Sequence, residues 1–453
     1  MKTAGLYKFG SIWQWCVLLA AMILPFFVIR FYPKFFHGSD VDDFYRWSQA
    51  WAAGWRGIYI ACDRCNYPLL GTFFSGGIMS YIRIENFHHL VSRFRYYLAF
   101  VDAVNVMMAY FILNALQVKK AALWAGVIGL LPSSWLGASV WGQIDGIGQF
   151  LILSFFFLLI SFNSKDRGGS QILVFCMGLG LLLASMLLTK QLIYFSLFPL
   201  GVIFLANMVV VAKKMKMFLF AFIVMYVSLV VPVLIADSAL SLKEGYFSHL
   251  QYILVTGSQH GDTISYLGMN IWNYFTANPL NSSHDTLPLF SITPYYAGMA
   301  LFFLIVLVMT FMYLKYVLRH NAQTASRFDS PVILLSLVYL ALVNMAFNLT
   351  LTGVHERYLY HFYPYVIIGC LGWLEYSKYM NKNLLLFLCF GSLIYGLYLF
   401  GYLTLFIRPI EGLMFMRGMT TLNLFIFGCV VYSVWMEIKH QMQKQKRLNV
   451  SLS

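Results

Sequence analysis

Apolar runs of roughly 20 residues recur along this 453-residue chain, from Trp13–Arg30 to Leu422–Trp435, with short polar breaks between them. Each run is long enough to cross the hydrocarbon core of a bilayer as a helix. The pattern predicts spans near 11–30, 96–116, 121–139, 146–162, 171–188, 191–211, 217–236, 291–318, 330–350, 361–379, 384–404 and 420–437. Two long stretches remain between them, 31–95 and 237–290. The first is rich in Trp, Tyr and Phe and is broken by Gly54, Gly57, Pro68 and Gly71, which suits short helices lying in the membrane interface. No room is left for a separate soluble domain, so residues 1–453 read as one membrane-embedded domain. The first run follows Lys2 and Lys8 and has no small-residue cleavage pattern after it, so it reads as a retained span.

Composition agrees with this reading: 60% of residues are hydrophobic and 11% charged, against about 25% charged in a soluble globular domain. The net charge of +14 does not point to nucleic acid, because the basic residues sit as short clusters between apolar runs: Lys119-Lys120, Lys165 with Arg167, Lys213-Lys214 with Lys216, Lys315 with Arg319 and Arg327, and the tail from Lys439 to Arg447. That is the pattern in which cytoplasmic loops carry the positive excess. It also decides whether the apolar stretch 67–82 spans. If it does not, the later basic residues divide roughly sixteen to eight in favour of the cytoplasm, and if it does the ratio inverts. The expected fold is therefore an all-α polytopic bundle of about twelve spans, with both termini cytoplasmic and both long loops outside.

This topology collects the unusual polar residues on one side. Asp40, Asp42 and Asp43 are outside, as are Trp141-Gly142-Gln143-Ile144-Asp145, Lys190-Gln191, Asn270 with Trp272, and His355-Glu356-Arg357. The chain has only 17 acidic residues, so three within four positions at a membrane boundary mark a place to look for chemistry. A sugar on a polyprenyl phosphate already carries an anionic leaving group. Its transfer needs one carboxylate to take a proton from the acceptor hydroxyl, and cations or imidazole to hold the phosphate as charge builds. Asp40 or a neighbour can be that base, and Lys190, His355 and Arg357 can be the phosphate clamp, the guanidinium giving bidentate contacts.

The stretch Ser39–Trp47, then Asn66-Tyr67-Pro68, Ala99-Phe100-Val101-Asp102, Trp141–Asp145, Lys190-Gln191-Leu192-Ile193-Tyr194 with Pro199, Asn270-Ile271-Trp272 and Val354-His355-Glu356-Arg357, resembles the ordered motif series of GT-C fold glycosyltransferases. It is similar to the dolichyl-phosphate-glucose glucosyltransferases of N-glycan assembly and to bacterial relatives of the second mannosyltransferase of GPI synthesis. The resemblance implies a GT-C-like bundle and inverting transfer of one hexose, glucose favoured, from a polyprenyl-phosphate monosaccharide to a cell-envelope glycan such as an O-antigen unit of lipopolysaccharide. The site would face the periplasm from a bacterial inner membrane, with the donor on undecaprenyl phosphate. A dolichol-dependent enzyme of the endoplasmic reticulum is the nearest alternative, and a transporter or flippase of lipid-linked sugars is the alternative from another class.

The family's base lies seven positions before the tryptophan, which carries over to Asp40, with Asp42 as the acidic residue two positions later. Its His-Glu-Arg and Lys-Gln motifs carry over to His355, Arg357, Lys190 and Gln191. Tyr67, Trp141, Gln143, Asp145, Asn270, Trp272 and Glu356 join as groove candidates. The family's Tyr-Pro-Pro is Tyr67-Pro68-Leu69 here, which affects the local shape of the first outer loop. No cofactor is firmly implied. Members similar to oligosaccharyltransferases use a divalent metal and the glucosyltransferase-like branch does not, so the metal-free reading is favoured.

Plainer roles compete at several positions. The three aspartates suit a solvated helix start, Asp43 above all, and Trp141–Asp145 suits an interfacial anchor followed by a helix cap. Asp102, inside an apolar run, suits a hydrogen bond within the bundle. Asn270 and Trp272 equally suit a plain interfacial helix. Of the seven cysteines, Cys16, Cys176, Cys370, Cys389 and Cys429 read as small core residues, and Cys62 and Cys65 as a local disulfide or free thiols in an outer loop.

Overall fold

The computed structural model describes residues 11–61, 65–82, 86–163, 169–211, 215–240, 248–286, 292–324, 329–374, 376–377, 379–403 and 412–452. Its helices are, in order, α1 Ile12–Phe31, α2 Gly38–Ala53, α3 Leu69–Ile82, α4 Phe87–Ala115, α5 Ala121–Leu130, α6 Asp145–Asn163, α7 Gly169–Leu187, α8 Tyr194–Val211, α9 Met215–Ala239, α10 Ser248–Ser258, α11 Pro294–Thr324, α12 Ser330–Thr350, α13 Tyr363–Trp373, α14 Lys382–Leu403 and α15 Leu413–Leu452. Among the described residues, nine helices are long and apolar enough to cross a membrane. The chain has the build of a polytopic helical membrane protein.

Burial sorts these helices by sequence. The whole hydropathic window of α12 is buried, and every residue of α13 is buried, so these two form the centre of the bundle. Helix α9 instead exposes Leu219, Phe220, Ile223 and Tyr226, and α11 exposes Phe303, Leu304, Leu307 and Phe311. A helix apolar on all sides must turn its outer face to lipid, which is what these peripheral helices do. A hydrophobic core from Leu18 to Ile438 joins them.

Three of the expected spans are built differently. The 121–139 span is helical only to Leu130. Pro132 removes a backbone donor there, and a π-turn over Leu136–Val140 carries the chain on. This segment nonetheless runs beside α1 in the same direction: Gly126 lies against Val17 and Leu18, Gly129 against Ala21, and the Trp141 carbonyl accepts from the His37 amide at 3.1 Å. The 191–211 span opens with a tight turn over Gln191–Ile193 before α8, and the 361–379 span contains the short α13. Helix α4 begins nine residues before the expected start at 96, because Asn86 caps an amphipathic first turn by accepting the His89 amide.

The 31–95 loop contains short helices, as its glycine and proline pattern leads one to expect. At 14 residues, α3 reaches roughly 21 Å, short of the roughly 30 Å hydrocarbon core. It packs against α2 instead, with Gly76 against the Trp47 backbone. The 237–290 loop carries α10 and a two-residue strand β1 (Ser265–Tyr266) that pairs in parallel with β2 (Val354–His355). Cys62 lies outside the described residues, so the expected Cys62–Cys65 pair does too; Cys65 itself is buried.

Candidate active site

Most of the residues singled out from sequence converge around one cavity of about 320 Å³. Backbone contacts assemble it. Arg95, wholly buried in α4, donates at 2.8 Å to the carbonyls of Pro33 and Phe35 and so fixes the chain between α1 and α2. Asp40 then falls in the first turn of α2, where a carboxylate is favoured by the exposed amides. Gly142, at φ +92°, makes the turn that sends Trp141 toward Asp40 and Gln143 toward the cavity, a backbone region that a Cβ would strain. Gly71 in α3 lets the Thr189 carbonyl approach to 1.9 Å from where a Cβ would sit, which presses the Lys190 turn against the first loop.

Three contacts of Asp40 converge on one oxygen, and Gln143 lies beside the same carboxylate. Its Oδ2 accepts from Trp141 Nε1 at 3.0 Å, and lies 3.2 Å from His37 Nδ1 and 3.5 Å from Arg357 Nη1. Burial alone would raise its pKa, but the Arg357 guanidinium and then His37 outweigh that and hold the carboxyl well below the usual range. Arg357 is buried between Asp40, Glu356 Oε1 at 3.1 Å and the Trp141 ring at 5.9 Å. Burial works against its charge, and Asp40 and Glu356 more than compensate, so it stays protonated. Burial pushes Glu356 upward, with Arg357 opposing.

Donor counting shows what these cations have left to offer. The hydrogen bonds of Arg357 engage Nη1, while its buried Nε has no hydrogen-bond partner and faces the equally unsatisfied Asp145 Oδ2 at 3.8 Å. A guanidinium has five N–H donors, and the two on Nη2, which take part in none of these contacts, remain for an anion in the cavity. Lys190 is more committed. Its Nζ donates to Asp145 Oδ1 at 2.6 Å and to Gln143 Oε1 at 3.2 Å, leaving one of three donors. Gln143 also accepts from the Tyr67 hydroxyl at 3.2 Å, and Lys190 lies 5.1 Å over the Tyr67 ring.

Asp40, Tyr67, Gln143, Lys190, Gln191, His355 and Arg357 all line the cavity, as does Asp43. Gln191 is fixed there by donating to the Asn66 carbonyl. The cavity has apolar lining as well. Leu192, Phe195, Met299, Phe347 and Leu351, from α8, α11, α12 and adjoining turns, line an apolar part.

Other candidates lie elsewhere. Asp42 is exposed and does not line the cavity, and Asp43 takes that place: on a helix the residue three positions on shares a face, and the one two positions on points away. Asp145, Trp141 and Glu356 stand behind the lining as partners of Lys190, Asp40 and Arg357. Asn270 and Trp272 are buried structural ties. Asn270 donates to the carbonyls of Ile264 and Leu351, and Trp272 to that of Thr350, which fastens the second loop to the end of α12. Asp102 accepts from the Tyr360 hydroxyl at 3.1 Å inside the bundle.

Sequence reasoning missed His37 and Tyr402. His37 lies three residues before Asp40 at a helix start, a spacing that could have flagged it. Tyr402 comes from the far end of α14 and meets His37 across 365 positions, which no local pattern reports. No family model matches the chain, and no curated protein matches it.

Proposed function

We propose that this protein is an inverting glycosyltransferase that takes one hexose from a polyprenyl-phosphate monosaccharide. The observation that carries the reading is the mixed lining of the cavity, where two carboxylates, two buried cations and an imidazole share one space with aromatic and aliphatic side chains. That is the chemistry of a lipid chain joined to an anion and a sugar. In the reaction, the acceptor O–H bond breaks as its proton passes to Asp40, and the acceptor oxygen bonds to the sugar's anomeric carbon. The carbon–oxygen bond to phosphate breaks, and its electron pair leaves with the polyprenyl phosphate. Arg357, and the remaining donor of Lys190, stabilise the charge that grows on the phosphate oxygens.

Twelve crossings fit this reading, the three additional ones being 121–141, 191–211 and 358–373. The run of 121–141 beside α1 supports the first of these. With both termini on the side opposite the site, the positive excess of the loops supports an extracytoplasmic cavity, and the proposed setting is a bacterial inner membrane. An envelope glycan such as an O-antigen unit is then the acceptor, and glucose the favoured sugar.

Purified protein in detergent, given synthetic undecaprenyl-phosphate [14C]glucose and a glycolipid extract of its native cells, should move label into the extract with inversion. It should not do so from a nucleotide sugar. Transfer from the nucleotide sugar, or from neither donor nor any related hexose donor, would overturn the reading.

A further inference from the structure

We propose that His37 is a positioning residue for the Asp40 carboxylate, a role that rests on the reading of Asp40 as the base. His37 Nδ1 lies 3.2 Å from Asp40 Oδ2. A carboxylate only accepts, so the ring nitrogen facing it carries a proton, and in the neutral ring Nε2 is left to accept from the Tyr402 hydroxyl at 3.4 Å. The imidazole is thereby defined at both ends.

Its plane is fixed as well. The ring stacks on Trp141 with centroids 5.0 Å apart at 16° and on Tyr402 at 5.9 Å and 22°, and those two stack on each other at 5.4 Å and 8°. The His37 amide donates to the Trp141 carbonyl at 3.1 Å, so backbone and side chain of the same tryptophan grip the histidine. Trp141 Nε1 reaches the same Oδ2 as His37 does. The first loop and the segment after the π-turn thus meet at one carboxylate oxygen, and α14 reaches it through His37. Contacts from Trp141, His37 and Arg357 converge on Oδ2, with Gln143 beside the same carboxylate. A general base works only when held within hydrogen-bond reach of the proton it takes, and His37 supplies part of that hold.

The groups facing the His37–Asp40 pair from other segments are Tyr67, Glu356, Arg357 and Tyr402. Arg357 belongs to the phosphate site and is drawn toward the donor anion during turnover. The His37 and Trp141 contacts make no such second commitment, so they keep the carboxylate oriented while its guanidinium partner is engaged. Ser39 Oγ lies 3.2 Å from His37 Nδ1 and shares that proton.

The test compares His37→Phe, which keeps a ring in the stack and deletes the N–H, with His37→Asn, which restores a donor, and with Asp40→Asn. The probe is synthetic undecaprenyl-phosphate [14C]glucose with the native glycolipid extract. His37→Phe should lower kcat by about ten- to a hundredfold with donor KM within about twofold, as expected for a lost positioning contact. The acid limb of its kcat profile should move up by about one pH unit, because a hydrogen bond to the ionised carboxylate is gone. His37→Asn should recover part of both effects. Wild-type kcat and pH profile in His37→Phe, or His37→Asn no better than His37→Phe, would overturn the proposal. If His37→Phe does not fold, Tyr402→Phe gives the same readout: a smaller loss of kcat with an upward limb supports the proposal, and an unshifted limb with wild-type kcat contradicts it. An inactive Asp40→Asn beside a fully active His37→Phe removes this role alone. A fully active Asp40→Asn, or a wild type that transfers nothing, removes the base reading and this role with it.

Discussion

Replacing Lys190 with methionine isolates the most closely paired charge in the site. Its Nζ is 2.6 Å from Asp145 Oδ1, and the two side chains are 5% and 0% exposed. At that separation and an effective dielectric of about 20, the gross attraction is about 6 kcal/mol. Desolvating two ions costs several kcal/mol each, so the intact pair contributes little net stability. Breaking it is another matter. Lys190→Met leaves Asp145 buried with Arg357 Nε at 3.8 Å as its nearest cation, and loss of one partner of a buried pair costs about 3–5 kcal/mol. In a protein of this size that lowers the unfolding midpoint by on the order of 5 °C. Thermal unfolding in detergent, followed by tryptophan fluorescence, would read it. Lys190→Met with Asp145→Asn removes both charges and should restore most of the loss. A single variant as stable as wild type, or a double variant no better than the single one, would refute the assignment of Asp145 as the fixed counter-ion of Lys190.

Three further outcomes are expected. Asp42→Asn should leave sugar transfer within about twofold of wild type, since its side chain is exposed, while Asp43→Asn on the cavity face should raise the acceptor KM severalfold; the reverse order would mean the face of α2 is misassigned. Gly71→Ala should lose at least about 2 kcal/mol of stability and most activity, because its Cβ would meet the Thr189 carbonyl at 1.9 Å and push the Lys190 turn outward; wild-type thermal stability and turnover would contradict this. Arg357→Gln removes the strongest influence lowering the Asp40 pKa. In wild type the stability contributed by Asp40 is present above the ordinary carboxylate pKa and is lost as pH falls through its depressed folded value. In the variant that loss should be smaller and complete at higher pH, and an unchanged acid limb of the unfolding midpoint would contradict it.

The helices were legible because hydropathy periodicity and loop charge act over 20 residues at a time, and the 330–350 span is helical over those same limits. The break at Pro132 was written in the sequence as well, but the run 121–139 carries no charge and hydropathy alone cannot separate a helix from an unwound crossing. At the site, Asp40, Lys190, His355 and Arg357 stood out as charges or imidazole at the ends of apolar runs. The choice of Asp42 over Asp43 went by sequence spacing, where the 100° step of a helix decides which side chain faces inward. Asn270 and Trp272 looked like groove residues because polar and aromatic side chains at a membrane boundary serve binding and loop anchoring alike. Only the carbonyls of Ile264, Thr350 and Leu351 separate the two uses. Tyr402 had no signal of its own, since its value lies in a contact formed by the folded bundle.

The central claim is that Asp40 takes the proton of the acceptor hydroxyl, and the direct measurement is the single-turnover rate of [14C]glucose transfer from undecaprenyl-phosphate glucose by wild type and by Asp40→Asn, at equal donor occupancy. Asn preserves shape and keeps an acceptor oxygen for Trp141 but cannot take the proton, so a rate lower by at least about a hundredfold, with donor still bound, is the expected result. Equal rates in the two proteins would contradict it.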